Sequence, residues 1–138
     1  MLKIIIDTNV LVAAMKSRRG ASFALLSLIS NEAFEVCVSV PLVFEYEDVL
    51  LRSELGIDEQ AAHEVLNYIC SVAHRQQVHF LWRPWLRDAK DDMVLEAAVA
   101  GQCSHIVTFN TRDFVGIEKF GVQALWPADF LKSIGVKP

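Results

Sequence analysis

Residues 4–6 are three isoleucines in a row, followed at once by a carboxylate, in the stretch KIIIDTNVLV. Three β-branched residues without polar alternation make a strand with no wet face. Such a strand needs cover on both sides. Parallel sheets under helices provide it, and antiparallel sheets with one solvated face do not. The rest of the chain keeps the same rhythm. The patterning predicts strands over residues 3–6, 35–39, 78–81, 105–108 and 122–125. Between them it predicts helices over residues 9–15, 21–30, 42–52, 58–73 and 91–101, and a short terminal helix beginning at Pro127. Pro41 stands where a first-turn proline belongs, and Gly101 closes a helix that opens with acids. Strands alternating with helices define an α/β fold with a parallel sheet covered on both faces. A length of 138 residues suits one domain, 1–138, with one core.

Composition narrows the function. Hydrophobic residues make up 53% of the chain, so most elements should be buried on at least one face. No apolar run approaches the ~20 residues of a membrane span. Asp7 interrupts the first apolar stretch, so no secretion signal is expected and the cytoplasm is the expected location. Cys37, Cys70 and Cys103 lack zinc spacing and read as reduced core thiols. The four histidines, His63, His74, His79 and His105, show no ligand spacing either. A net charge of −4 argues against a nucleic-acid binder. That argument fails if the acids gather around a cation, which reverses the local field.

Chemistry in parallel α/β folds gathers at the carboxyl ends of the strands. Asp7 ends the first strand, and Asn110 and Asp113 follow the strand over 105–108. Each acid has an ordinary explanation. Asp7 or Thr8 can cap the next helix. Glu45 and Glu47 flank the apolar face formed by Leu42, Tyr46, Val49 and Leu50, and periodicity does not choose between them. Asp91 and Asp92 suit a helix first turn. Asp92 and Glu96 share a face, where like charges repel unless a cation lies between them. Asp113 suits a turn. Together, however, these acids lie on four separate elements, which is how sites for hard cations are built.

Four stretches, IIIDTNVLVAA, VSVPLVFEYEDVL, DAKDDMVLEAAVAG and HIVTFNTRDF, occur in this order along nearly the whole chain. In them the sequence resembles the PIN-domain family, and in particular the VapC-like toxin components of bacterial toxin–antitoxin pairs. The resemblance implies a three-layer α/β/α sandwich with a central parallel sheet. It implies an endoribonuclease dependent on Mg²⁺ or Mn²⁺, an antitoxin partner and a homodimer. By the same resemblance Asp7, Glu45, Asp92 and Asp113 are the catalytic and metal-holding acids, with Asp91 as an alternative neighbour to Asp92. Asn110 stands where many PIN domains carry a further aspartate.

Further candidates come from the residues themselves. The basic turn Lys16, Ser17, Arg18, Arg19 suits phosphate contact, with Arg52 and Arg112 as lesser candidates. Asn9, Asn110 and Thr108 suit orientation of carboxylates or contact with substrate, and a strand-end role is the simpler reading of Thr108. Trp82 and Trp85 suit base stacking or, in so apolar a chain, the core or an interface. A haloacid-dehalogenase-type phosphatase also carries an aspartate after the first strand. It needs a second aspartate two residues on, where this chain has Asn9. A non-catalytic PIN-like module that binds RNA or protein is the stronger rival.

Overall fold

The computed structural model describes residues 1–77 and 85–137. Five parallel strands form one sheet: β1 (Leu2–Ile6), β2 (Phe34–Val38), β3 (His74–Arg75), β4 (His105–Val107) and β5 (Gln123–Leu125). Their order is β3-β2-β1-β4-β5. The three isoleucines explain the centre of this order. Ile4 lies opposite Val36 on one side and His105 on the other, and Ile4, Ile5 and Ile6 are at most 1% exposed. The α-helices are α1 (Thr8–Lys16), α2 (Ala21–Ser27), α3 (Val40–Leu50), α4 (Glu59–Val72), α5 (Ala89–Ala100) and α6 (Pro127–Ser133). Helix α5 lies across β1, β2 and β4, while α2 packs on α1 and α6. The result is a three-layer α/β/α sandwich with a central parallel sheet.

Local chemistry sets the helix boundaries. Ser39 caps α3 through Leu42 N–H, with Pro41 in the first turn. Asp58 caps α4 through Ala61 N–H at 3.0 Å. In α4, Ala62, Leu66 and Ile69 recur at helical spacing and are buried, as their periodicity predicts. Phe130 of α6 sets its ring edge-on to Phe34 and His105, closing the core over β2 and β4.

Two expectations change, and a third falls outside the described residues. Helix α2 ends at Ser27 rather than residue 30, because residues 28–33 turn into β2 and Glu32 takes a positive φ. The strand expected over residues 78–81 and the candidate Trp82 lie outside the described residues. Among the described residues the outermost strand on that side is His74–Arg75. Cys37 and Cys103 are buried free thiols, but Cys70 lies on the exposed side of α4.

The connectivity positions the site. The chain runs from β1 outward through β2 to β3, then returns to β4 on the opposite side of β1. The direction of winding therefore reverses between β1 and β4, and open α/β sheets bind their ligands at the carboxyl side of that reversal.

Candidate active site

Asp7 stands at this reversal. It caps α1, its Oδ1 accepting the backbone N–H of Thr8 at 2.8 Å. The hydroxyl of Thr108, at the end of β4, donates to Asp7 Oδ2 at 2.7 Å. Thr108 is fully buried and also accepts the backbone N–H of Asn110 at 3.0 Å. Asn9 braces the same gap. Its Oδ1 accepts Phe109 N–H at 3.2 Å, and its Nδ2 reaches Thr108 Oγ1 at 3.4 Å and Asp7 Oδ2 at 3.5 Å. A buried carboxylate is therefore locked in place from two strands. Thr108 is more than the strand-end residue its sequence position suggests. Asn9 spends its amide on bonds within the protein and acts as a brace there.

Glu45 reaches this edge because α3 is pinned to β1. Tyr46 is buried, and its hydroxyl donates to the carbonyl of Ile6, the residue before Asp7. Burial and the nearby Asp7 charge hold its phenol well above its ordinary pKa, so it stays a donor. The preceding residue, Glu45, is half-buried, whereas Glu47 is exposed. The ammonium of Lys90 lies 3.9 Å from Glu45 Oε1.

The two acids at the start of α5 separate. Asp92 is buried, and its Oδ1 accepts the backbone N–H groups of Leu86 at 2.9 Å and Trp85 at 3.3 Å. It ties down the segment that leads into the helix. Asp91 points to the cluster instead. Its carboxyl is pushed up to about 6 by burial, then by the negative charges of Asp88, Asp7, Asp113 and Asp92. Asp7 is likewise raised from its ordinary value, first by burial. Thr108 and the Thr8 N–H pull it down, and the charges of Glu45 and Asp113 push it up. Asp7, Glu45, Asp91 and Asp113 thus feel one another at the carboxyl edge. Of the expected set, Asp7, Glu45 and Asp113 share this field with Asp91, and Asp92 adds its charge to it while its Oδ1 is held by backbone N–H groups.

The basic turn follows the far end of α1. Nine residues of α1, at ~1.5 Å each, carry Lys16 roughly 13 Å along the helix from Asp7, and Arg18 and Arg19 continue beyond it. Arg52 pairs with Asp48 at 3.0 Å on α3. The cations beside the acids are different ones. A cleft of about 1070 Å³ is lined by Asp91 and Asp113 together with Arg87, Arg112, Trp85 and Val115. Asn110 is exposed beside it. Sequence reading gave Arg112 a minor place and Arg87 none. No periodicity marks either, because both sit in irregular segments.

Among the described residues, no three His, Cys, Asp or Glu side chains are placed to hold one metal ion together as they stand. The donor chemistry still suits a hard cation. All four groups are oxygen donors, and two of them, Asp7 and Asp91, have their proton affinity raised by burial and by neighbouring carboxylate charges. Mg²⁺ keeps several of its waters, so one or two direct carboxylates suffice.

Carboxylates from several elements thus gather at the carboxyl edge of a parallel α/β sandwich, where such folds bind their ligands. The PIN-domain family model matches residues 3–112, and the chain belongs to that family. PIN domains are generally nucleases. A chain of the VapBC2 complex from Rickettsia felis, solved bound to a DNA fragment from its promoter, shares the fold. Its TM-score is 0.61 at 13% sequence identity, over 89% of this chain and 98% of that one. A search of curated proteins finds no match.

Proposed function

We propose that this protein is a cytoplasmic, single-domain, metal-dependent endoribonuclease and the toxin of a toxin–antitoxin pair. The observation that carries the nuclease reading is the acid cluster on four separate elements at the sheet reversal, facing a cleft that also carries arginines. Asp7, Glu45 and Asp91 would hold a first Mg²⁺ or Mn²⁺, and Asp113 a second or the outer side of the first. A divalent ion there lowers the pKa of a hydrolytic water and offsets charge on the scissile phosphate. The chain's own residues supply the rest. Thr108 and Thr8 N–H keep Asp7 in one orientation, Tyr46 keeps Glu45 at the edge, and Arg112 and Arg87 offer the phosphate backbone a positive wall.

The toxin role rests on the fold shared with a chain of a VapBC complex. Its implied partners are an antitoxin and a second copy of the chain. Val40 and Phe44, four apart on α3, are 51% and 64% exposed. They stand over a small apolar pocket formed with Val38, Val43 and Cys70, a surface suited to a protein partner.

The experiment incubates inhibitor-free protein with a mixed RNA pool and Mg²⁺ or Mn²⁺. EDTA and Asp7→Asn serve as controls. Cleavage that requires metal and falls at least ~100-fold in folded Asp7→Asn is the expected result. Wild type that binds RNA but cleaves nothing in either metal would establish the binding-module reading instead.

A further inference from the structure

The acids at the carboxyl edge have one positive neighbour that reaches them across two helices. Lys90 lies in the first turn of α5, between Ala89 and Asp91, both of which line the cleft. Its ammonium extends to α3 and stands 3.9 Å from Glu45 Oε1. The two partners differ in setting. The Glu45 side chain is 16% exposed and that of Lys90 is 61% exposed. The carboxylate is held by α3, whereas the long lysine stem lies largely in solvent and turns away at little cost. Among the described residues no other ammonium or guanidinium is paired with Asp7, Glu45, Asp91 or Asp113. Arg52 is engaged with Asp48, and the Lys119 ammonium stands 3.7 Å from the centre of the Trp85 ring. Lys90 is thus the paired counter-charge within a group of acids that repel one another.

We propose that Lys90 is a tethered counter-ion that competes with the divalent cation for Glu45 and so sets the metal concentration at which the acid edge loads. The inference rests on the metal-dependent reading above and concerns its regulation. An ammonium and a divalent ion are drawn to the same carboxylate, and at that range they repel each other. An ion held by Glu45 therefore meets Lys90 as a rival, and the flexible partner is the one that yields. A simple strut between α3 and α5 is the alternative, but an ion pair with so exposed a partner contributes little to stability. Lys90 acts here through Glu45 and takes no part in bond breaking.

The test titrates the EDTA-treated, dialysed full chain with Mn²⁺ and follows the free ion by electron paramagnetic resonance, with no RNA present. Lys90→Met keeps the apolar stem and removes the charge. Its Kd for Mn²⁺ should fall roughly 2- to 5-fold, the size of one partly exposed ion pair. Glu45→Gln should weaken binding. In that background Lys90→Met should change Kd by less than about 1.5-fold, because the shared carboxylate is gone. Melting temperatures give a second reading. Without metal, Lys90→Met should melt below wild type, and saturating Mn²⁺ should narrow the gap, since the ion binds more tightly where no ammonium has to leave. A Kd that is unchanged or raised in Lys90→Met overturns the proposal. So does a decrease that persists in Glu45→Gln, which would reflect net charge alone. Should Glu45→Gln bind too weakly to titrate, Lys119→Met takes its place: an equal fall in Kd there overturns the proposal, and a smaller one supports it. RNA cleavage is scored separately. If Lys90→Met tightens Mn²⁺ as expected but wild type cuts no RNA, the nuclease reading fails and the competition stands. If wild type and Lys90→Met both bind no Mn²⁺, the two fall together.

Discussion

Asp91 and Asp92 are chain neighbours, and about 100° of helix separates what they do. Asp92 is spent on the backbone N–H groups of Trp85 and Leu86, whereas Asp91 shares a field with Asp7 and Asp113. Their asparagine variants should therefore fail differently. Asp91→Asn should lower metal-dependent cleavage at least ~100-fold with stability kept or raised. Asp92→Asn should cost about 1–3 kcal/mol of stability by weakening two charge-assisted bonds, with a smaller loss of kcat while the protein is folded. Denaturant melts and cleavage rates on the same preparations check both. Equal loss of cleavage with unchanged stability in Asp92→Asn would return Asp92 to the metal set. Nothing in the sequence separates the two acids, since each is a suitable first-turn residue. The difference arises from the segment entering α5, which the folded chain lays over one of them.

At the scale of elements, the placement of α3 depends on one bond, from the Tyr46 hydroxyl to the Ile6 carbonyl. Tyr46→Phe keeps the packing and removes the donor, leaving a buried carbonyl under-satisfied. That should cost about 1–3 kcal/mol. With Glu45 freed from its register against Asp7, the metal concentration giving half-maximal cleavage should rise. Denaturation curves and a Mg²⁺ titration of cleavage check the pair of effects. An unchanged metal requirement would mean that helix packing alone positions Glu45. The buried face of α3 was legible from the spacing of Leu42, Tyr46 and Leu50. The phenolic bond was not, because its acceptor lies 40 residues away in the chain.

At the scale of the whole molecule, the acid cluster is a source of strain that pH and metal should relieve. Asp91 has its folded pKa raised to about 6 from 3.8, and Asp7 is raised in the same direction. Between pH ~4 and ~6 the folded protein then holds more protons than the unfolded chain. Stability from these groups falls as pH rises through that window. In metal-free protein, melting temperatures of wild type and Asp91→Asn should converge only below pH ~4, with wild type the less stable at pH 7. Adding Mg²⁺ or Mn²⁺ at pH 7 should recover the difference in wild type only, because an ion bound to the native state stabilises it by mass action. Cleavage should fall below pH 6 as the same carboxylates take up protons. Thermal melts across pH with and without metal check this. A wild type that tracks Asp91→Asn at every pH would show that the acids do not strain the fold.

By itself the sequence determined the parallel α/β architecture, through an unalternated isoleucine strand and strands spaced by helices. It also pointed to Asp7, Glu45, Asp92 and Asp113 as candidates, from strand ends, helix positions and the resemblance of four stretches to a family. These are local or periodic signals. The tertiary structure alone decided the brace of Thr108 and Asn9 across β1 and β4 and the backbone bonds that Asp92 accepts from Trp85 and Leu86. It also decided the gathering of Arg87, Arg112 and Trp85 around one cleft. Each of those depends on which residues the winding reversal brings together across long stretches of chain, and no spacing along a sequence records a distance between segments that meet only when the sheet closes.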